Sequence, residues 1–204
     1  MEKKLHKSLS ERLAENWAET LSERTQLGEI DRLKVKLGFE VLLINASKGV
    51  IIYGLSLLRG SFFLTAITHV SFNFLKKTSF GLHAKNSFNC TLTSLLIFLV
   101  LPIFLEGVII SLGIFLVISF LCFLAFFLYA PADTEKNPLY GRKNREKLRR
   151  ETVARLIILS IIVIGLRIPL VKTMAALGMI AQVATILPIT YKLLNRGYKN
   201  YEKT

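Results

Sequence analysis

Cysteine is almost absent from this 204-residue chain, histidine and tryptophan are scarce, and acids are few, with 14 Asp and Glu against 27 Lys and Arg. Each shortage excludes something. The two cysteines, Cys90 and Cys122, stand in different contexts and form no disulfide framework. A zinc site from His69, His83 and Cys90 is not expected, because no third or fourth ligand stands at a usual spacing, and nothing else calls for a metal or cofactor. The first 38 residues hold about as many acids as bases and no apolar run of the length a signal peptide needs. What the chain does have is 52% hydrophobic residues together with a net charge of +13, and the charge is segregated into short dense segments. That combination describes a membrane protein with several spans and basic segments between them.

A spanning helix needs roughly 20 mostly apolar residues. Residues 39–58 and a slightly extended 61–75 qualify. Residues 91–130 form a 40-residue run with one charge, Glu106. A single helix of that length would measure about 60 Å, twice a bilayer core, so it must fold back near Glu106–Gly107 or at Ser111–Gly113. Residues 153–170 and 172–194 give two more spans. The expectation is an all-α, polytopic integral membrane protein with six transmembrane helices: an arm over 1–38, a membrane domain over 39–194 and a tail over 195–204. Basic residues test the count. Eight lie in 1–36, three in 76–90, seven in 131–152 and four from Lys192 onward, twenty-two in all, against three in the intervening connections. The positive-inside rule then puts both termini and the 76–90 segment on the cytoplasmic side of the membrane.

In the arm, Ser8 and Glu11 have capping-box spacing. Leu9, Leu13, Trp17 and Leu21 recur every four residues until Gly28, and Ile30, Leu33 and Leu37 continue toward the first span. Two readings stand: an amphipathic helix in the membrane interface, or a helix packed on the protein's own cytoplasmic loops. Inside the spans, Lys48 lies a turn beyond Asn45, and Thr65, His69, Asn73 and Lys77 follow at four-residue steps. An intramembrane lysine is a functional candidate by default. These groups either line a polar cavity open to the cytoplasm, or form an internal hydrogen-bond network in which Lys48 snorkels or pairs with Glu40.

The segment SFGLHAKNSFNC, residues 79–90, holds His83 and Cys90 seven positions apart. Lys76, Lys77 and Lys85 flank it, and positive charge favours the thiolate, the attacking form of cysteine. A histidine can take the thiol proton and return it to a leaving amine. On one unbroken helix the two residues would be separated by about 10.5 Å along the axis, beyond the ~3 Å that proton transfer requires. The chain must therefore turn between them; Lys85, Asn86 and Ser87 offer turn chemistry and Gly81 loosens the approach. Cys122, within FLCFLAFF, reads as a small hydrophobe. Ser87, Asn89 or backbone amides near Cys90 are candidates for an oxyanion hole.

KKTSFGLHAKNSFNC resembles the active-site segment of the accessory gene regulator B (AgrB) membrane proteases: a basic pair, a glycine, His-Ala, and Cys seven after the His. LYAPADTEKNPL, residues 128–139, resembles that family's segment after the fourth span, and LGFEVL and the overall length also agree. Lys76 and Lys77 stand where the family usually has arginines, and lysine grips a carboxylate less well than the two-pronged guanidinium. Phe80 stands where many members have Gly or His. The resemblance implies a cysteine endopeptidase of quorum sensing with Cys90 as nucleophile and His83 as general base and acid. Its substrate is an AgrD-like propeptide, whose acidic tail is released and whose signal sequence closes into a thiolactone or lactone. It also implies a homodimer. Lys76, Lys77, Gly81, Ser87, Lys48 and Glu40 are the candidate substrate-binding residues. The basic stretch RKNREKLRR, residues 142–150, suits anionic headgroups or an acidic substrate tail. It lacks interleaved aromatics, so nucleic acid is not an expected partner. The rival reading is a non-enzymatic small membrane transporter or peptide exporter, with Lys48 and His69 along its path.

Overall fold

A computed structural model of the chain describes residues 9–25, 28–82, 87–134 and 139–200. These are helical throughout, apart from connections and isolated bridges of extended backbone such as Phe80 with Ala132. The chain divides into two compact units, residues 1–54 and 55–204.

The first unit holds α1, Leu9–Thr25, and most of α2, Glu29–Leu58. Ser8, the expected cap, lies outside the described residues, but the helix begins at its neighbour. Gly28 separates the two helices, and Glu29 and Asp31 open α2 where the helix dipole favours acids. On α1, Ala14 and Ala18 are buried. Trp17 meets the Phe39 ring edge-on at 5.5 Å, and Lys36 bridges to Glu15 at 2.9 Å. These aromatic and ionic contacts help to hold α1 against α2. At 30 residues, α2 starts ten residues ahead of the expected span, because the Ile30, Leu33, Leu37 pattern runs into it without a break.

In the second unit, α3 covers Phe62–Ser79. The long apolar run does fold back. A helix formed by α4, Ser87–Leu95, a π-helical turn, Leu96–Val100, and α5, Leu101–Phe104, ends before the 105–111 connection, and α6, Leu112–Tyr129, follows. Pro102 cannot donate to a carbonyl one turn back, and the wider π turn ahead of it accommodates that loss. The reversal contains Glu106 and Gly107, and the Ser111 hydroxyl caps α6 by accepting from Ile114 N at 3.3 Å. Thr173 clasps the connection from outside: its hydroxyl donates to Val108 O at 2.7 Å and accepts from Ile110 N at 3.3 Å.

α7, Arg142–Leu166, joins the basic stretch and the fifth expected span in one helix, so residues 142–150 are helix and not loop. The sixth expected span is broken. α8 covers Pro169–Ile186 and α9 covers Pro188–Leu193, because Pro188 disfavours helical backbone at Leu187. Of all these, α2, α6 and α8 are long and apolar enough to cross a bilayer.

α8 is the centre of the second unit, packing on α3, α6 and α7. Phe115, Cys122 and Phe126 of α6, Leu156, Leu159 and Val163 of α7, and Ala175, Met179 and Ile186 of α8 share one core with Leu75. The α3–α8 contact uses small residues. A Cβ on Gly178 would lie 2.5 Å from Thr68 O and 2.8 Å from Ser71 Cβ, and the Thr68 hydroxyl reaches Met174 Sδ at 3.7 Å. Between helices in lipid, such close backbone approach is the main source of attraction.

Candidate active site at the end of α3

α3 stops because the next two residues leave helical backbone. Phe80 has φ +55° and Gly81 φ +112°. The first is an uncommon conformation for a bulky residue and needs support from its surroundings. The support is a set of hydrogen bonds. Phe80 N–H caps α3 at Lys76 O, 3.0 Å. Gly81 N–H donates to Ala132 O at 3.0 Å, and Ala132 N–H returns to Ser79 O at 2.9 Å. Leu82 N–H donates to Thr185 O of α8 at 3.0 Å. The amide nitrogen of the buried Gln182 donates to both Ser79 Oγ, 2.7 Å, and Phe80 O, 2.6 Å. Gly81 itself is pressed on α8: a Cβ there would lie 2.5 Å from Thr185 Oγ1.

The two motif segments therefore touch, with residues 79–81 paired to Ala132. The second segment is anchored in turn. It starts with a cis Ala130–Pro131 bond, and Arg149 Nε donates to Ala130 O at 2.9 Å. Asp133 is buried; its backbone carbonyl accepts from Tyr191 OH at 2.7 Å, and its carboxylate accepts from Asn200 N at 3.2 Å. Residues 195–200, expected as a tail, are thus fixed to the 130–134 segment through Asn200. On α7, the Thr152 hydroxyl lies 2.9 Å from that of Thr78, and Arg155 donates to Phe74 O at 3.3 Å.

Cys90 lies in the first turn of α4 and is partly exposed, whereas Cys122 is buried in the α6 core; neither is in a disulfide. His83 lies outside the described residues. The turn demanded by the His83–Cys90 spacing falls on residues 83–86, which lie outside the described residues, because α4 is already helical from Ser87. Of the basic pair, Lys76 Nζ sits over the Phe72 ring at 5.0 Å, while Lys77 is exposed. Ser87 starts α4. In the first unit Lys48 is buried, Glu40 half-buried and Asn45 exposed. The four-residue stripe on α3 does not stay on one side of the core: Thr65 is fully buried, His69 is half-buried against Phe98 at 4.4 Å, and Asn73 and Lys77 are exposed. The first turns of α7 present Lys143, Lys147 and Arg150 to solvent. Arg142 holds the Glu146 carboxyl below its usual range through a 2.8 Å hydrogen bond.

Sequence reasoning passed over Gln182, Thr185, Asp133, Tyr191 and Asn200. One signal was available: Gln182 is an amide within an otherwise apolar span, a position where polar groups are costly unless used.

Comparison with known proteins gives a consistent result. The family model for accessory gene regulator B matches residues 14–186. An AgrB-like protein of Listeria innocua is 40% identical over 193 residues, covering 94% of this chain and 95% of its own length. An AgrB-like protein of Clostridium acetobutylicum is 40% identical over 195 residues, covering 95% and 93%. Accessory gene regulator protein B of Staphylococcus carnosus is 36% identical over 137 residues, 67% of this chain and 72% of its own. No solved structure matches.

Proposed function

The chain belongs to the accessory gene regulator B family of membrane proteins, and on that premise we propose that it is a cysteine endopeptidase that trims and cyclises an AgrD-like propeptide. Cys90 is the nucleophile and His83 its general base and acid. The observation that carries this reading is the placement of Cys90: partly exposed and in the first turn of α4, the next described element after the pinned 79–82 segment.

The chemistry balances in two steps. Cys90 Sγ, having given its proton to His83, attacks the carbonyl before the propeptide tail. The C–N bond breaks, His83 protonates the leaving amine, and the signal sequence remains on Cys90 as a thioester. A thiol or hydroxyl of the substrate then gives up its proton, attacks the same carbonyl and displaces Cys90. Thioester exchange changes bond energy little, and tethering gives the second nucleophile an effective concentration of up to ~10⁵ M or more. An apolar site at the membrane edge keeps out the water that would hydrolyse the intermediate.

The topology we propose has six spans with both termini and the site cytoplasmic, and the protein acts as a homodimer in the bilayer. The segregation of basic residues supports this orientation. The arm over 1–38 lies amphipathically at the interface, and the exposed cations of α7 face headgroups and the acidic substrate tail. Lys76, Lys77, Gly81, Ser87, Lys48 and Glu40 are the proposed substrate contacts.

The test is propeptide incubated with the protein in liposomes and followed by mass spectrometry. Wild type releases the tail and yields a ring. Cys90→Ala and His83→Ala insert normally and lower release by at least 10³-fold, a loss in keeping with removal of a covalent nucleophile or its base. Normal processing by both variants defeats the protease. Activity that survives Cys90→Ala but not Lys48→Ala supports a transporter instead.

A further inference from the structure

We infer that Gln182 of α8 is a positioning residue for the reaction proposed above, on which this inference rests: its amide sets the backbone of residues 79–82, the segment to which His83 is joined.

Gln182 is fully buried in a helix whose other buried residues, Thr173 at the far end apart, are Ala, Met, Gly and Ile. A primary amide in that setting is costly unless its donors are used. Both are used on two adjacent residues, at 2.7 Å to the Ser79 hydroxyl and 2.6 Å to the Phe80 backbone carbonyl, while Gln182 Oε1 is buried with no partner among the described residues. The Ser79 hydroxyl passes the bond on, donating to Leu75 O at 2.9 Å. One turn further along α8, Thr185 O receives Leu82 N–H, and the Thr185 hydroxyl returns to Gln182 O at 2.8 Å. Gln182 and Thr185 thus hold residues 79–82 from the α8 side, while Ala132 holds the same residues from the other.

Filling space does not account for this arrangement. An apolar side chain of the same volume would pack in α8 equally well and would need no partner. The amide does something a hydrocarbon cannot: it fixes the direction of the Phe80 carbonyl while Phe80 holds φ +55°. With Phe80 O, Gly81 N–H and Leu82 N–H all bonded, the peptide planes up to Leu82 have a set orientation, and His83 is the next residue. General base catalysis is sensitive to such orientation, because the base must meet the thiol within hydrogen-bond reach.

The experiment uses the full chain in liposomes with propeptide. Gln182→Met keeps the volume and removes both donors. Gln182→Glu keeps the shape and has a donor only while its carboxyl is protonated. Tail release gives kcat and KM, and alkylation of Cys90 across pH reports on its coupling to His83, with His83→Ala as reference. Folded protein is quantified by thermal unfolding in detergent. The expected result for Gln182→Met is a kcat at least tenfold lower per folded molecule, a KM within twofold of wild type, and a Cys90 alkylation profile moved toward that of His83→Ala. Gln182→Glu is expected to regain activity relative to wild type as pH falls. Wild-type kcat and alkylation profile in Gln182→Met, with Cys90→Ala inactive, overturns the positioning role and leaves the protease standing. Activity lost only in proportion to folded protein, with an unchanged alkylation profile, reduces Gln182 to packing and also overturns it. Wild-type protein that releases no tail defeats the protease itself, and the positioning role with it.

Discussion

At position 81 there is no room for a side chain. A methyl group would meet Thr185 Oγ1 at 2.5 Å, Thr185 O at 3.0 Å and Ile186 Cγ2 at 3.1 Å, and the backbone there holds φ +112°. Gly81→Ala therefore combines overpacking with backbone strain, each worth about 1–3 kcal/mol. We expect it to lower the thermal midpoint in detergent and to abolish tail release; a midpoint and activity equal to wild type would refute the close packing of this segment on α8. At this scale the sequence reveals residues that act through local spacing. Gly81, His83 and Cys90 lie within one short segment whose chemistry can be read along the chain. Gln182 and Asp133 cannot be found in that way. Gln182 meets its partner Ser79 across 103 positions, and Asp133 meets Asn200 across 67. No spacing rule links such pairs, and only the folded backbone brings them together.

Among the elements, the α3–α8 pair depends on Gly178. Its missing side chain lets Thr68 O and Phe72 N come within 2.5 and 3.0 Å of where a Cβ would sit, and both are rigid helix backbone. Gly178→Leu should force the helices apart and destabilise the second unit by about 3 kcal/mol or more. Thermal unfolding in detergent checks this, with Gly165→Leu as a control, since a Cβ on Gly165 meets nothing within 4 Å. Equal midpoints for the two variants would show that the contact carries no weight. Hydropathy locates the apolar segments, including the reversal of the 91–130 run, but it is a poor guide to where helices end. α2 and α7 continue into charged residues, because Glu, Lys and Arg are good helix formers whatever their polarity. The last expected span is interrupted ahead of Pro188, for a backbone reason that a hydropathy window averages away.

For the molecule as a whole, charge carries the information about orientation. Twenty-two basic residues fall in alternate segments and three in the others, so a reporter inserted at Gly107 should be active outside the cell and one at Tyr140 inside. Cytoplasmic activity of the Gly107 fusion would reverse the proposed topology. That family, helical class and charge asymmetry are legible without coordinates follows from their being summed properties of many residues. The clasping of the 79–82 and 130–134 segments is not, because it depends on a few bonds between distant parts of the chain. α8 adds a mechanical constraint. Thr173 grips the 105–111 connection near one end of this helix, and Gln182 and Thr185 grip residues 79–82 near the other. Fastened at two levels, it is a tie rod. A piston stroke of one helical turn, about 5.4 Å, would shear both fastenings at once, so any breathing that keeps these bonds comes from tilting of its neighbours around a fixed spar.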